Sequence, residues 1–462
     1  MWTGLSLLFV IFAIEIFVQI EQHIGASNLR QVIANLHAAG KSTTIDDLRA
    51  KSPAIDAHLQ NEWNAWSTRL YVLKTTPLMP IPYKEWGDWI AGKASNPPDG
   101  ILEDLNNHRS LMDDARLLLR NESLVISSYA LLIGEFPADK KAMDESDWTT
   151  LSPKIPNLLA IRMLAEWLER DALLSSYPKD DLSDLDRLIH SLSRPVLIVD
   201  AMIALVVEDI RNRAYLELAV AGRLPHSLRE NWLAEHSHEK ELVADGLRGE
   251  RVLLAPLRIA HLSGYVPVLG DDYGLSDGHL LTWPMGLNDF AVEIDLTARF
   301  EDVLREKMIA QFLKLNDVEG KIQSIVGFAK MLPFLFSHGL DGEANHRLAR
   351  LAVRILAVTK NGSSLPSSQG EIVDLIGKDI EFDPGFDCLK LRYDHVAPDR
   401  FSLSVDPRGP FPPFYDRGTK ILDHAAYKKS NNSMIINKLY VEIPVKTTGK
   451  SGSEKSPQHD DL

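Results

Sequence analysis

Cysteine is almost absent: Cys388 is the one thiol in 462 residues, which excludes an internal disulfide framework and every CxxC metal or redox motif. A basic excess is also missing. Fifty Lys plus Arg against 64 Asp plus Glu leave a net charge of −14 and a pI near 5.5, so the chain has no electrostatic footprint for a phosphate backbone and points away from nucleic acid. There is no His-Glu-x-x-His pair, and Cys388 has only His395 near it in sequence. What remains is ordinary globular composition, 25% charged and 45% hydrophobic, which excludes collagen-like and fully disordered chains. At roughly 100 to 200 residues per domain, two or three domains fit this length.

The longest apolar run is Trp2 to Ile20, without a polar helical face up to Ile14. At 1.5 Å per residue it reaches roughly 28 Å, close to the thickness of a bilayer's hydrocarbon core. Glu15 interrupts it, at a cost of at least about 2.5 kcal/mol deep in lipid unless the carboxyl is neutral, paired or near an interface. No Lys or Arg precedes Arg30, so a basic signal-peptide n-region is lacking, and the run reads as an uncleaved anchor over residues 1–22 in preference to the two alternatives, a cleaved signal peptide or a buried soluble helix. Glu15, Gln19 and Gln22 form a polar stripe where the helix would leave the membrane.

Beyond the anchor, residues 23–335 read as an irregular α-helical bundle or array. Apolar residues recur at three and four in Leu29 to Ala39, Ile101 to Arg120, Leu158 to Ser175, Leu182 to Ile189, Pro195 to Ala221, Ser227 to Ala234, Lys240 to Ala255, Thr297 to Leu315 and Glu319 to Phe328. Pro195 to Ala221 is the most apolar and is expected to be the buried central helix, with Pro195 at its first position and Gly222 at its C-terminal cap. Gly40 should cap the helix ending at Ala39, and Thr44 to Asp47 should form a capping box. Gly40-Lys41-Ser42-Thr43 looks like the end of a phosphate-binding loop, but Asn35 stands where that motif needs glycine. The Pro- and Trp-rich stretch from Tyr71 to Gly100 is expected to be a structured loop, or a short helix between loops, stapled to the core. Gly264 to Asp289 reads as a long irregular excursion.

After a helix from Ala344 to Thr359, short alternating runs at Leu389 to Tyr393 and Phe401 to Val405 predict a small α+β hairpin module over 340–418. Leu348, Leu351, Ala352, Ile355 and Leu356 should face strand residues Leu391, Tyr393, Phe401 and Leu403. An extension over 419–445 and a disordered tail over 446–462 complete the chain. The fold class is therefore mainly α: an N-terminal membrane helix, a helical array and a hairpin module.

No set of residues converges on a catalytic, cofactor-binding or metal site. His236-Ser237-His238-Glu239 reads as a solvated polar turn, because i and i+2 point apart on a helix. Glu208-Asp209 should face Arg211, Arg213 or solvent, although so apolar a helix could bury one of them and raise its pKa. The acidic residues of the 264–289 excursion, Asp271, Asp272, Asp277 and Asp289, gather near His279 and Trp283 and give the alternative of an envelope hydrolase.

Two stretches carry a resemblance. Ala160 to Leu224, ending in Leu218-Ala219-Val220-Ala221-Gly222-Arg223-Leu224-Pro225, with Leu247-Arg248-Gly249-Glu250-Arg251, resembles an uncharacterised family of membrane-anchored proteins of planctomycete-type bacteria. The succession from Arg347 through Asn361-Gly362, Leu365-Pro366, Asp383-Pro384, Leu391-Arg392-Tyr393 and Phe401 to Ser404 resembles the C-terminal half of type II secretion major pseudopilins. The resemblance implies one N-terminal membrane helix, a large extracytoplasmic helical body and a short C-terminal β-module. The anchor, the large α-body and the lack of a convergent catalytic set lead to the expectation of an inner-membrane protein whose periplasmic body binds a protein partner or envelope component. Val405-Asp406-Pro407-Arg408-Gly409 departs from the pseudopilin calcium loop, and no basic leader precedes the apolar run, so neither a calcium site nor pseudopilus assembly is implied. The expected function is a membrane-tethered scaffold without cofactor, leaning away from an enzyme.

Overall fold

The computed structural model describes residues 17, 20, 23–51, 56–72, 83–128, 158–235, 238–262, 279–306, 332–359, 364–368, 370–372, 390–406, 435–437 and 440–444. Its helices are α1 (residues 23–38), α2 (Ile45–Lys51), α3 (Ala57–Val72), α4 (Tyr83–Ile90), α5 (Ile101–Leu119), α6 (Leu158–Leu174), α7 (Pro178–Leu192), α8 (Ile198–Ala221), α9 (His226–Ala234), α10 (Glu239–Leu262), α11 (His279–Glu306) and α12 (Leu332–Thr359). The strands are β1 (Lys390–Ala397), β2 (Arg400–Asp406), β3 (Ile435–Asn437) and β4 (Tyr440–Pro444). The protein is thus mainly helical with a small antiparallel sheet. Trp2 to Ile20 lies outside the described residues except for Phe17 and Ile20, and among the described residues no helix is long and apolar enough to cross a membrane.

Helix α8 is the axis, packed against α6, α7, α10 and α12. Its apolar residues occur on every face, so it must be surrounded, and Ala201, Val207, Ala214 and Leu218 are fully enclosed. It starts at Ile198, three residues after the expected Pro195, because Asp200 reaches back to accept the backbone N–H groups of Val196 and Leu197, both at 3.0 Å. Those bonds hold the preceding residues extended and end the helix there. At the other end Gly222 adopts φ 76°, and its neighbour Arg223 donates its N–H to the Leu218 carbonyl at 2.8 Å, a glycine-terminated helix end as predicted.

Helix α10 crosses α8 at nearly backbone distance. A Cβ on Gly249 would stand 1.6 Å from the Val196 carbonyl oxygen, and one on Gly246 would stand 2.9 Å from the Ile198 Cα. These glycines are required by closeness of approach.

The predicted capping chemistry near the N-terminus is present. Gly40 has φ 71°, Thr44 Oγ1 accepts the Asp47 N–H at 3.2 Å, and Asp47 Oδ2 accepts the Thr44 N–H at 2.9 Å. Lys41 of the phosphate-loop look-alike is spent on Asp302 and the Ala298 carbonyl. Leu29 and Leu36 seat α1 on Phe290, Ile294 and Ala298 of α11. Helix α11 corrects the reading of 264–289 as one excursion: helix resumes at His279, ten residues earlier than the Gly and Asp composition suggests, and residues 263–278 lie outside the described ones. The helices expected over Glu319 to Phe328 and beyond Glu306, and the tail over 446–462, also lie outside the described residues.

The hairpin forms as predicted, with Tyr393 opposite Leu403 and an irregularity between His395 and Ala397. The sheet then departs from a two-stranded unit. β4 pairs with the free side of β2, placing Ile443 opposite Phe401, and β3 pairs with β4 to give the order β1-β2-β4-β3. Residues 435–437 and 440–444, read as part of an extension, are therefore integral to the sheet. Helix α12 packs on β2 and β4, burying Leu348, Leu351, Ala352, Ile355 and Leu356 together with Tyr393, Phe401, Leu403 and Ile443. It begins at Leu332, so it runs through the boundary expected between body and module, and a single apolar core extends from Leu59 to Ile443.

Two substitutions test this packing by chemical denaturation. Leu351→Ala, at a side chain 3% exposed, is expected to cost about 2 to 5 kcal/mol. Gly249→Ala should destabilise by at least about 1 to 3 kcal/mol, because backbone rather than a mobile side chain opposes the new methyl.

Candidate functional site

The polar interior concentrates where α8, α10 and α12 meet. Helix α8 contributes Glu208, the first turn of α10 contributes Glu239, and α12 contributes Glu343 and His346, all essentially inaccessible to water. Local sequence explains each placement. Glu239 lies at a helix N-terminus, where the unpaired N–H groups favour a carboxylate. Glu343 and His346 are three residues apart and so share one face of α12.

His346 Nδ1 lies 3.1 Å from Glu239 Oε1, and His238 Nε2 lies 3.4 Å from Glu208 Oε1. Donor atoms of Glu208, Glu239 and His346 all fall within 4.8 Å of one another. The surrounding cations are engaged mainly elsewhere. Arg211 bonds Glu235, lies 3.2 Å from Asp186 and only then, at 3.4 Å, reaches Glu208. Lys240, at 2.9 Å, and Arg347 hold Glu343, while Arg350 donates to the carbonyls of Leu233 and Glu235. Glu208 Oε2 and Glu239 Oε2 consequently have no hydrogen-bond partner among the described residues. One flank is aromatic: Tyr215 stacks on Trp232 at 4.8 Å, and Trp232 meets the His346 ring at 5.9 Å.

Charge divides the two carboxyls. Burial pushes Glu208 above its ordinary pKa despite Arg211, and the neighbouring charge of Glu239 adds to the rise. Burial also acts to raise Glu239, but the charge and hydrogen bond of His346 outweigh it and hold this carboxyl down at about 2. A carboxyl that holds its proton more tightly than usual and one that holds it less tightly therefore stand side by side, with His238 against Glu208 and His346 against Glu239.

This junction corrects the reading of His236 to Glu239 as a solvated turn: Glu239 is 1% exposed and His238 is half-buried, while His236 and Ser237 lie outside the described residues. The reading of Glu208 and Asp209 divides between its two halves. Glu208 is buried beside Arg211 with a raised pKa, and Asp209 accepts a 3.3 Å bond from Asn345. A search by local spacing misses the cluster because its members come from three distant helices. The signal present in the sequence is Glu343-x-x-His346, a carboxyl and an imidazole one turn apart on α12. Of the acidic excursion, Asp271, Asp272 and Asp277 lie outside the described residues, as does Cys388, and His279, Trp283 and Asp289 fall on α11.

A second buried acid lies nearer the far end of α8. Glu217 accepts the Trp86 indole N–H at 2.9 Å, which makes Trp86 the staple expected of its loop. Beside it, Arg213 grips Glu169 with both Nε and Nη2. Burial, then the charge of Glu169, pushes Glu217 up to about 8.

No protein-family model matches the chain, nor does any curated protein or solved structure.

Glu217 imposes a pH dependence on stability. Its folded pKa of about 8 lies above the ordinary 4.5, so the native state binds a proton that the unfolded state releases between those values. The resulting destabilisation is absent below pH ~4.5, grows as pH rises toward ~8 and is constant above. Glu217→Gln keeps an acceptor for Trp86 and removes the ionisation. Denaturation midpoints should show the variant gaining on the parent at pH 8 and the gain shrinking toward pH 5.

Proposed function

We propose that the chain is a single-pass protein of the bacterial inner membrane, anchored by residues 1–22, whose helical body and sheet serve in the periplasm as a protein-binding scaffold. The observation that carries the reading is the exposure of Phe17, Ile20 and Ile24, each about half accessible. They fall at i, i+3 and i+7, one helical face, on the approach to α1. A contiguous apolar stripe of this kind is unfavourable in water and is covered when it continues into a lipid-embedded helix. From Leu29 onward the same helix turns its apolar residues to α11 instead, so α1 is where tether and body join.

The scaffold reading rests on how the polar residues are used. Buried charges are matched to one another between helices, as in Arg170 with Asp104, Arg251 with Glu301 and Arg116 with Asp171, Asp181 and Asp184. They brace the array, whereas a catalytic set would converge on an open site. A surface suited to a partner lies at the sheet edge. Among the described residues β1 pairs on one side only, and Arg392, His395 and Val396 along it are exposed. An edge strand with free backbone groups accepts an added strand from another protein.

Alkaline carbonate extraction checks the tether. The full chain should stay with the membrane pellet, and a chain beginning at Ser27 should appear in the supernatant, folded. Release of the full chain by carbonate would overturn the tether.

A further inference from the structure

We propose that the junction of α8, α10 and α12 binds one divalent transition-metal ion through Glu208, Glu239 and His346. The inference stands apart from the membrane reading, since it depends only on the interior of the helical body.

Three observations carry it. First, the ligand chemistry converges: two carboxylates and an imidazole, each on a different helix, bring donor atoms within 4.8 Å of one another. Metal–oxygen and metal–nitrogen bonds of about 2.0 to 2.2 Å place tetrahedral ligand atoms about 3.4 Å apart, so small side-chain rotations suffice to close the shell. Second, the carboxylates are unsatisfied. Glu208 Oε2 and Glu239 Oε2 are enclosed without a hydrogen-bond partner among the described residues, a costly state for an acceptor shut away from water. Third, the protein's own cations are directed elsewhere. The nearest guanidinium, Arg211, makes its shorter contacts with Glu235 and Asp186, and Lys240 and Arg347 are drawn to Glu343. A divalent ion supplies the missing positive charge and ties three helices with one centre.

His346 Nδ1 is the nitrogen turned toward Glu239, and its Nε2 lies 3.5 Å from Arg350 Nη1. His238, with its Nε2 3.4 Å from Glu208 Oε1 and its ring partly exposed, borders the cluster on the Glu208 side without joining the three converging donors. A nitrogen among oxygen donors, without thiolate, selects the zinc, manganese and ferrous class over calcium or magnesium, which favour all-oxygen shells.

The test uses the full-length protein in detergent, stripped with a chelator, dialysed and then titrated with Zn²⁺ and separately with Co²⁺. One equivalent of each should bind, Zn²⁺ should raise the melting temperature, and Co²⁺ should develop the visible bands of a site with histidine and oxygen ligands. Millimolar Mg²⁺ or Ca²⁺ should not compete. His346→Gln, and Glu208→Gln combined with Glu239→Gln, should weaken Zn²⁺ binding by about 100-fold or more, beyond the typical effect of an outer-shell partner. Glu217→Gln, a buried carboxyl of the same helix outside the cluster, should bind as the parent does. A folded parent that takes up Zn²⁺ only substoichiometrically overturns the proposal, as does uptake undiminished in His346→Gln. Should a ligand variant fail to fold, the Co²⁺ spectrum of the parent decides: histidine–oxygen bands support the site, and the spectrum of the aquo ion overturns it.

Discussion

A helix enclosed on all sides must bury whatever charges its sequence carries, and the matching of those charges on α8 organises the molecule. Asp200, Glu208, Arg211 and Glu217 are all hidden from water on this one element. A buried charge left unpaired costs several kcal/mol, comparable to deleting a large core side chain. Each therefore specifies a neighbour. Asp200 fixes the segment before the helix and Ser128, whose Oγ donates to it at 2.8 Å. Glu208 and Arg211 answer to α10, α12 and Glu235, and Glu217 requires the indole of Trp86 in α4. Apolar packing explains why the helices collapse on α8, and these pairings explain why they do so in one arrangement.

Local chemistry was legible wherever it stayed local. The periodicity of Ile101 to Arg120 and Leu158 to Ser175, the glycine ends at Gly40 and Gly222, and the Thr44 to Asp47 box all express interactions within a few residues. The hairpin pairing Tyr393 with Leu403 is of the same kind. Three features were not legible. The start of α11 at His279 lies inside a Gly- and Asp-rich composition that resembles a loop. Strands of three and five residues, β3 and β4, are too short for alternation to stand out, and only their pairing with β2 defines them. The Glu208, Glu239 and His346 cluster is assembled by tertiary folding from three helices, and no spacing rule reaches across such separations.

Helix α12 serves two environments in sequence. Its middle carries Glu343 and His346 into the charged junction, and the following turns carry Leu348 to Leu356 against the sheet. Because both halves belong to one rigid element, the polar junction and the sheet share a frame. A displacement of one turn at either end would misplace residues at the other, which is why a helical body and a β unit that look separable by composition share one core.

The placement of β4 has a consequence for biosynthesis. The strand that covers the open side of β2 lies at residues 440–444, after every other described element of the fold, and its Ile443 stands opposite Phe401. A ribosome-bound nascent chain can assemble the helices and the hairpin, but the flank of β2 stays bare until synthesis has passed residue 444 and the exit tunnel has released it. An emerging polypeptide held at that stage presents unpaired backbone beside apolar side chains, the combination that chaperones bind and that recruits aggregating neighbours.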